Sequence, residues 1–394
     1  MAQQASSPAD ASVLHPNFRG RLSAVIDGAL AANRLVGAVV VVSVDGAIVY
    51  RRAAGFADRE CGAPMIEDTI FRLASVSKLF VATTAMALVE QGRLALDDFV
   101  EAWLPAFRPR LADGRSASIT LRQLLTHTSG LSYGFLERKD GPYRRAGVSD
   151  GMDRSGLTLK ENLRRLASAP LLFQPGAAWN YSLSFDVLGA VIEKASGLAL
   201  PDAVRSLVTA PLGLAETGFS VVDPSRLAAA YADAAPRPRR MDEDDLIPTM
   251  PELAGVAMSP GRALDVGAFP SGGAGMIGAA GDTLRLLETL RQGGGPILSN
   301  TAVAEMGRDQ IAPLPVAGWP GWGHGLGFSV LRDPKAAGAS ESVGTWRWGG
   351  AYGHSWFVDA AEKLSVVAFT NAAFEGMSGG GRFPQDLCRA IYAR

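Results

Sequence analysis

The chain has 394 residues, 47% of them hydrophobic, with 38 Lys and Arg against 39 Asp and Glu. That length and apolar share suffice for one large domain or two lobes around a substantial core. The near balance of charge creates no field that would point to nucleic acid or to an anionic membrane surface.

The N-terminal run Met1-Ala2-Gln3-Gln4-Ala5-Ser6-Ser7 has neither a basic n-region nor an apolar h-region, and no run approaches the length of a membrane span. A soluble, cytoplasmic protein is expected. The four histidines, His15, His127, His324 and His354, show no metal-ligand spacing, so neither metal nor cofactor is expected. Cys61 and Cys388 lie far apart; two reduced, buried thiols are expected, with one disulfide as the alternative.

In chain order, the pattern predicts a helix over 18–32 and a strand over 38–44. Asp45-Gly46 is a tight-turn signal, and 47–50 pairs back as a hairpin. A long apolar helix follows, opening at Ser75-Val76-Ser77-Lys78 and stopping at Gly92. From about 94 to 220 the chain reads as helix and loop, with clear helices over 121–125, opened by Thr120, and 185–196, ended by Gly197. Residues 221–270 are rich in Ala, Pro and charge. There the basic run Pro236-Arg237-Pro238-Arg239-Arg240 meets Asp242-Glu243-Asp244-Asp245 and reads as a solvated loop. Strand signals return at 327–331, 355–359 and 364–371, and the terminal segment 384–394 reads as helix. Strands at both ends and helices between them predict an α+β fold. Residues 1–85 and 250–394 would form an α/β domain, and 86–249 a mostly helical inserted domain.

Ser75-Val76-Ser77-Lys78 is the chain's only S-x-x-K. Residues at i and i+3 share a helix face, so Ser75 and Lys78 can touch. A serine hydroxyl is a poor nucleophile until a neighbour takes its proton. An amine held among apolar residues prefers to be neutral and can take it. The free N–H groups at a helix start stabilise developing negative charge. Tyr181, in Trp179-Asn180-Tyr181-Ser182-Leu183, stands on a loop before a helix, where it can act as a proton shuttle once nearby cations favour its phenolate. In Trp346-Arg347-Trp348-Gly349-Gly350-Ala351, just before a strand, the paired glycines allow close backbone approach to a ligand. A free edge N–H there could form half of an oxyanion hole; the alternative is a tight turn with exposed indoles.

These three elements, in this order, resemble the serine β-lactamase and penicillin-binding protein family. Within it the chain is most similar to the class C β-lactamase-like serine esterases, the family VIII carboxylesterases. The resemblance covers nearly the whole chain and includes Gln91-Gly92-Arg93-Leu94-Ala95-Leu96-Asp97-Asp98, Leu124-Leu125-Thr126-His127-Thr128-Ser129-Gly130-Leu131 and Gly189-Ala190-Val191-Ile192-Glu193-Lys194-Ala195-Ser196-Gly197. It implies a β-lactamase/transpeptidase-like fold: a central antiparallel sheet built from both chain ends, flanked by helices, with a helical lobe inserted. It implies Ser75 as nucleophile, Lys78 as its partner and Tyr181 as general base, with the N–H groups of Ser75 and Ala351 as oxyanion hole. Trp348, Gly349, Gly350, Tyr133 and Leu183 would contact the substrate. Leu183 replaces the asparagine of the family's Y-x-N motif, and Trp348 replaces the cation of K-T-G. Those groups hold the polar parts of a lactam, so their loss favours small neutral esters. The implied function is a serine carboxylesterase acting on a small-molecule ester, including the acetyl esters of cephalosporins. The alternatives are a class C-type β-lactamase or D-aminopeptidase, and an inactive penicillin-binding-like recognition protein.

G-x-S-x-G also occurs around Ser132 and around Ser149. In α/β-hydrolases that motif sits between a strand and a helix. Ser132 follows a helix and Ser149 follows a polar loop, so neither is expected to be the nucleophile. His127 and His354 are expected to bond backbone, and Asp186 to orient the Tyr181 loop or cap a helix.

Overall fold

A computed structural model of the chain describes Leu14 and residues 17–392. The N-terminal run 1–7, His15 and the last two residues of the predicted C-terminal helix lie outside the described residues.

The sheet grows from a strand that is apolar on both faces. β1 (Gly37–Val44) pairs antiparallel with β2 (Ala47–Asp58), and β2 with β3 (Ala63–Pro64). Asp45 and Gly46 join the first two at φ of 50° and 87°. Two positive φ values in a two-residue turn match the twist of the paired strands. The C-terminal third supplies β4 (Trp322–His324), β5 (Ser329–Leu331), β6 (Trp346–Gly350), β7 (His354–Asp359) and β8 (Leu364–Thr370). The order is β4-β5-β6-β7-β8-β1-β2-β3, with every neighbouring pair antiparallel. Val40 lies opposite Ala368 on one side and Arg52 on the other. The two ends of the chain are therefore knitted into one sheet at β1 and β8.

The helices that position the site are α1 (Phe18–Ala31), α2 (Ser77–Glu90), α3 (Leu121–Leu125), α4 (Leu159–Ser168), α5 (Ser184–Ser196), α6 (Ala280–Arg291) and α7 (Phe383–Tyr392). Alternation along β1 sends Val40 and Val42 to one face and Val39 and Val41 to the other. The first pair packs with Leu22 and Ile26 of α1 and Leu387 and Ile391 of α7. The second joins the large core with Leu284 and Leu287 of α6 and the apolar residues of α2. Cover on both faces is why this strand reads as an unbroken valine run. In α2, every residue from Ser77 to Leu88 is buried, as expected of a helix that is apolar all round. It packs against α5. Thr120 and Gln123 close a capping box at the start of α3, and Gly197 ends α5 in the left-handed conformation at φ 69°.

Two local expectations give way and one open alternative closes. Trp346–Gly350, read as lying just before a strand, is itself a strand paired on both sides, with Trp346 and Trp348 buried, so the alternative of a tight turn with exposed indoles falls. Its glycines serve backbone contact within the protein: a Cβ on Gly350 would stand 2.3 Å from the Leu73 carbonyl, and one on Gly349 2.4 Å from that of His354. The expected solvated loop folds into two short hairpins, Tyr231–Ala232 with Arg239–Arg240 and Asp245–Ile247 with Val256–Met258. Its arginines are paired, Arg239 with Asp245 at 2.6 Å and Arg240 with Asp58 at 2.9 Å. Cys388 is buried but Cys61 is exposed, and both are free thiols. Among the described residues, no helix is long and apolar enough to cross a membrane.

Candidate active site

Ser75 lies in a single 3-10 turn, Ala74–Val76, that runs directly into α2. The residue before it, Ala74, is buried at φ 45°. A non-glycine in that region costs about 1–3 kcal/mol and persists only where the surroundings impose it. Here Leu73 is held by its N–H to the Met276 carbonyl at 2.9 Å, and Gly350 packs on the Leu73 carbonyl from the other side. The turn leaves Ser75 half-buried while Lys78, one turn on, has no exposed surface.

Lys78 Nζ lies 3.2 Å from Ser75 Oγ, 3.0 Å from the Tyr133 hydroxyl and 2.8 Å from the Gly273 carbonyl. The rings of Tyr181, Tyr133 and Phe185 stand 4.8, 5.5 and 5.7 Å from it. Burial draws its pKa from 10.5 down to about 7, against the opposing pull of the Asp186 carboxylate. A lysine so placed is part neutral at neutral pH and can accept a proton.

The Tyr181 hydroxyl donates to Ser75 Oγ at 2.5 Å. Its loop is fixed to the segment after α3 by bonds from Asn180 N to the His127 carbonyl (2.9 Å), Asn180 Nδ2 to the Leu131 carbonyl (3.0 Å) and Leu183 N to the Ser132 carbonyl (3.1 Å). Burial pushes the Tyr181 pKa up, although its bond with Ser75 opposes the rise. The shift at Tyr181 runs against a phenolate, while that at Lys78 runs toward the neutral amine, and both groups meet the same oxygen.

The other expected residues fall into two groups. Tyr133 is buried and bonded to Lys78, so it belongs to the polar cluster and does not merely wall it. Trp348 lies 5.5 Å from the Tyr181 ring, and Phe135 stacks on Tyr133 at 4.6 Å. Ala351 follows β6 directly and is 9% exposed. Leu183, expected to touch substrate, is 1% exposed at the start of α5 and packs in the core, because its motif position falls on the N-cap. Gly349 and Gly350 are buried backbone spacers.

Sequence reasoning missed the segment Ser271–Ala274. Asp186, buried in the first turn of α5, accepts from Ser271 Oγ at 2.7 Å and Gly273 N at 2.9 Å. It thus holds the turn whose Gly273 carbonyl receives Lys78; it does not orient the Tyr181 loop. The glycine-rich run Ser271-Gly272-Gly273-Ala274-Gly275 was the available signal. Asp150 was passed over as well. Its carboxylate receives the N–H groups of Gly134 and Phe135 at 2.7 and 3.1 Å and so fixes the loop that carries Tyr133. His354 does bond backbone, through Nε2 to the Arg72 carbonyl at 2.8 Å, but His127 bonds the Ser182 hydroxyl at 3.0 Å. Ser132 and Ser149 are both buried. Ser149 Oγ donates to Asp153 and accepts from Gly151 N, and no amine is bonded to it.

A family model described as Beta-lactamase matches residues 22–390. The Esterase EstB of Burkholderia gladioli is 52% identical over 380 residues, 96% of each chain. Among solved structures, EstCE1, described as a hydrolase with promiscuous acyltransferase activity, is 45% identical with a TM-score of 0.90, covering 95% of this chain and 98% of its own. The Simvastatin Synthase (LovD) of Aspergillus terreus, unliganded in its selenomethionyl form, is 24% identical at a TM-score of 0.74, with 96% and 99% covered; that likeness bears on the fold alone.

Proposed function

The chain belongs to the beta-lactamase family, and we propose that within it this protein is a serine carboxylesterase that cleaves small esters through an acyl-enzyme on Ser75. The observation that carries the reading is the convergence of Lys78 Nζ and the Tyr181 hydroxyl on Ser75 Oγ, at 3.2 and 2.5 Å. Identity of 52% with an esterase over nearly the whole chain supports the same class.

In the first half-reaction Ser75 Oγ attacks the ester carbonyl and its proton passes to the neutral Lys78 amine. The tetrahedral oxyanion is received by the N–H groups of Ser75 and Ala351; one such donor is worth about 2.7–4 kcal/mol in the transition state. The departing alkoxide takes the Tyr181 proton, which the Lys78 ammonium restores. In the second half-reaction a water replaces the alcohol, loses its proton to the same pair and attacks the acyl carbonyl. Ser75 regains its proton as the acid leaves. Trp348 gives an aromatic face and no cation, so the substrate proposed is a neutral ester on that side of the nucleophile.

The reading includes a division into 1–85 with 250–394 and 86–249. Its support is that every strand of the large sheet falls in the first pair of segments. It also includes a cytoplasmic place, which two unpaired cysteines support. A second reading, acyl transfer to an alcohol in place of water, uses the same acyl-enzyme and is supported by the acyltransferase activity named for EstCE1. Mass spectrometry of cephalothin products tests the esterase reading. Loss of the acetyl group with the lactam ring intact is expected, and dominant ring opening with the acetyl group retained would restore the lactamase alternative.

A further inference from the structure

Lys78 Nζ meets three acceptors: Ser75 Oγ, the Tyr133 hydroxyl and the Gly273 carbonyl. An ammonium can give each of them an N–H. The neutral amine has two N–H groups and a lone pair. When Tyr133 and Gly273 take the two N–H groups, the lone pair is left facing Ser75 Oγ, the direction a base needs. Burial holds the Tyr133 phenol well above its usual pKa, so it stays a hydroxyl. The aim of the amine thus depends on how firmly Tyr133 is kept in place.

The G-x-S-x-G stretch around Ser149, which supplies no nucleophile, braces both partners of the amine. The buried Asp150 carboxylate receives the N–H groups of Gly134 and Phe135 at 2.7 and 3.1 Å. Those two residues follow Tyr133 directly. On its other side, Ser132 gives its N–H to the Tyr143 hydroxyl at 2.8 Å, and its carbonyl accepts from Leu183 N at 3.1 Å. Tyr133 is therefore clamped from both directions along the chain. Gly151 stands at φ 83°, and a Cβ on it would lie 2.4 Å from Ser271 Oγ. Ser271 and Gly273 are the pair that Asp186 holds, so the residue after Asp150 packs on the turn that carries the other acceptor. The stretch is itself fastened through backbone: Asn162 of α4 bonds the Ser149 N–H and carbonyl at 2.8 and 3.0 Å, contacts that need no Ser149 hydroxyl. Burial pushes the Asp150 carboxyl up to about 7 against the pull of its two N–H donors, with Asp153 adding to the rise and Arg144 opposing it. Carboxyls perturbed in this way collect at functional sites.

We infer that Asp150, resting on the esterase reading of Ser75, is a positioning residue of that reaction: it acts through Tyr133 to keep Lys78 aimed at Ser75.

The test is a double-mutant cycle on a short nitrophenyl ester, run well above pH 7 so that Asp150 is a carboxylate. Asp150→Asn keeps the shape of the side chain but sets an N–H donor against one of the two backbone N–H groups. It should lower kcat about tenfold with KM nearly unchanged, within the loss that a misplaced group causes. Tyr133→Phe removes the hydroxyl through which the effect passes. Adding Asp150→Asn to it should then cost less than about twofold. A residue that is merely structural would cost the same factor in both backgrounds, and that result would overturn the inference. So would an unchanged kcat in a folded Asp150→Asn, or a loss confined to KM. Asp150→Ser carries the same cycle if the asparagine variant does not fold. The rate of fluorophosphonate labelling at Ser75, read in all four proteins, should follow the same pattern. A wild-type chain that labels at Ser75 but turns over no ester would sink the esterase reading, while the labelling cycle would still decide Asp150.

Discussion

Ser75 and Ser149 both sit in motifs that serve as nucleophiles elsewhere, and the structure surrounds them differently. Ser75 Oγ meets a buried amine and a phenol, at the start of a helix. Ser149 Oγ meets the Asp153 carboxylate and a backbone N–H, and its own N–H is fixed by Asn162. The Asp153 carboxylate, which accepts from Ser149 Oγ, can anchor a loop. A lysine drawn down to about 7 by burial can take a proton at working pH. The difference between the two serines lies in the partner's pKa and placement, which the motif letters do not contain.

The sharpest way to break this contrast is to remove each hydroxyl. Ser75→Ala is expected to abolish hydrolysis of a short nitrophenyl ester, while Ser149→Ala and Ser132→Ala keep most of it. Loss of turnover in a folded Ser149→Ala would reverse the assignment. Next in size, Lys78→Ala and Tyr181→Phe should each cost at least about a hundredfold in turnover, within the range for acid–base groups. The double variant should cost far less than the product, because both act on one oxygen; a fully additive result would count against a shared relay.

A pH profile sharpens the contrast further. Lys78 must be neutral to accept the proton, so kcat/KM should fall as pH drops through about 7. The Asp186 carboxylate raises the Lys78 pKa, so Asp186→Asn should move that acidic limb to lower pH. A limb that stays put would show that Asp186 does not act through Lys78. The smallest expected effect is on stability. Ser149→Ala removes a hydrogen bond to Asp153 and should lower the unfolding free energy by about 1 kcal/mol, read from a denaturant midpoint.

Much of this was legible in the chain. The valine run of β1 with Asp45-Gly46 marked the hairpin, and Thr120 and Gly197 marked helix ends, because each is a local rule that the packing also obeys. Ser75 and Lys78 were legible as a pair because S-x-x-K keeps short spacing, and Tyr181 through the family resemblance. Asp186 was named with another role, and its contact with Gly273 was not legible, because it joins residues far apart in the chain and an acceptor carbonyl has no residue type. The tight-turn alternative for Trp346–Gly350 stayed open because its glycines imitate turn chemistry, while their cause is the close approach of the Leu73 and His354 carbonyls. Leu183 was assigned to substrate by motif position, although its burial at the N-cap of α5 follows from the helix that begins there.

The central claim is that Ser75 alone is the activated hydroxyl. Labelling the folded protein with a fluorophosphonate, followed by digestion and mass spectrometry, tests it most directly. A single adduct on Ser75, absent from Ser75→Ala and strongly slowed in Lys78→Ala, is the result expected. An adduct on Ser149 or Ser132, or none on a folded chain, would contradict it.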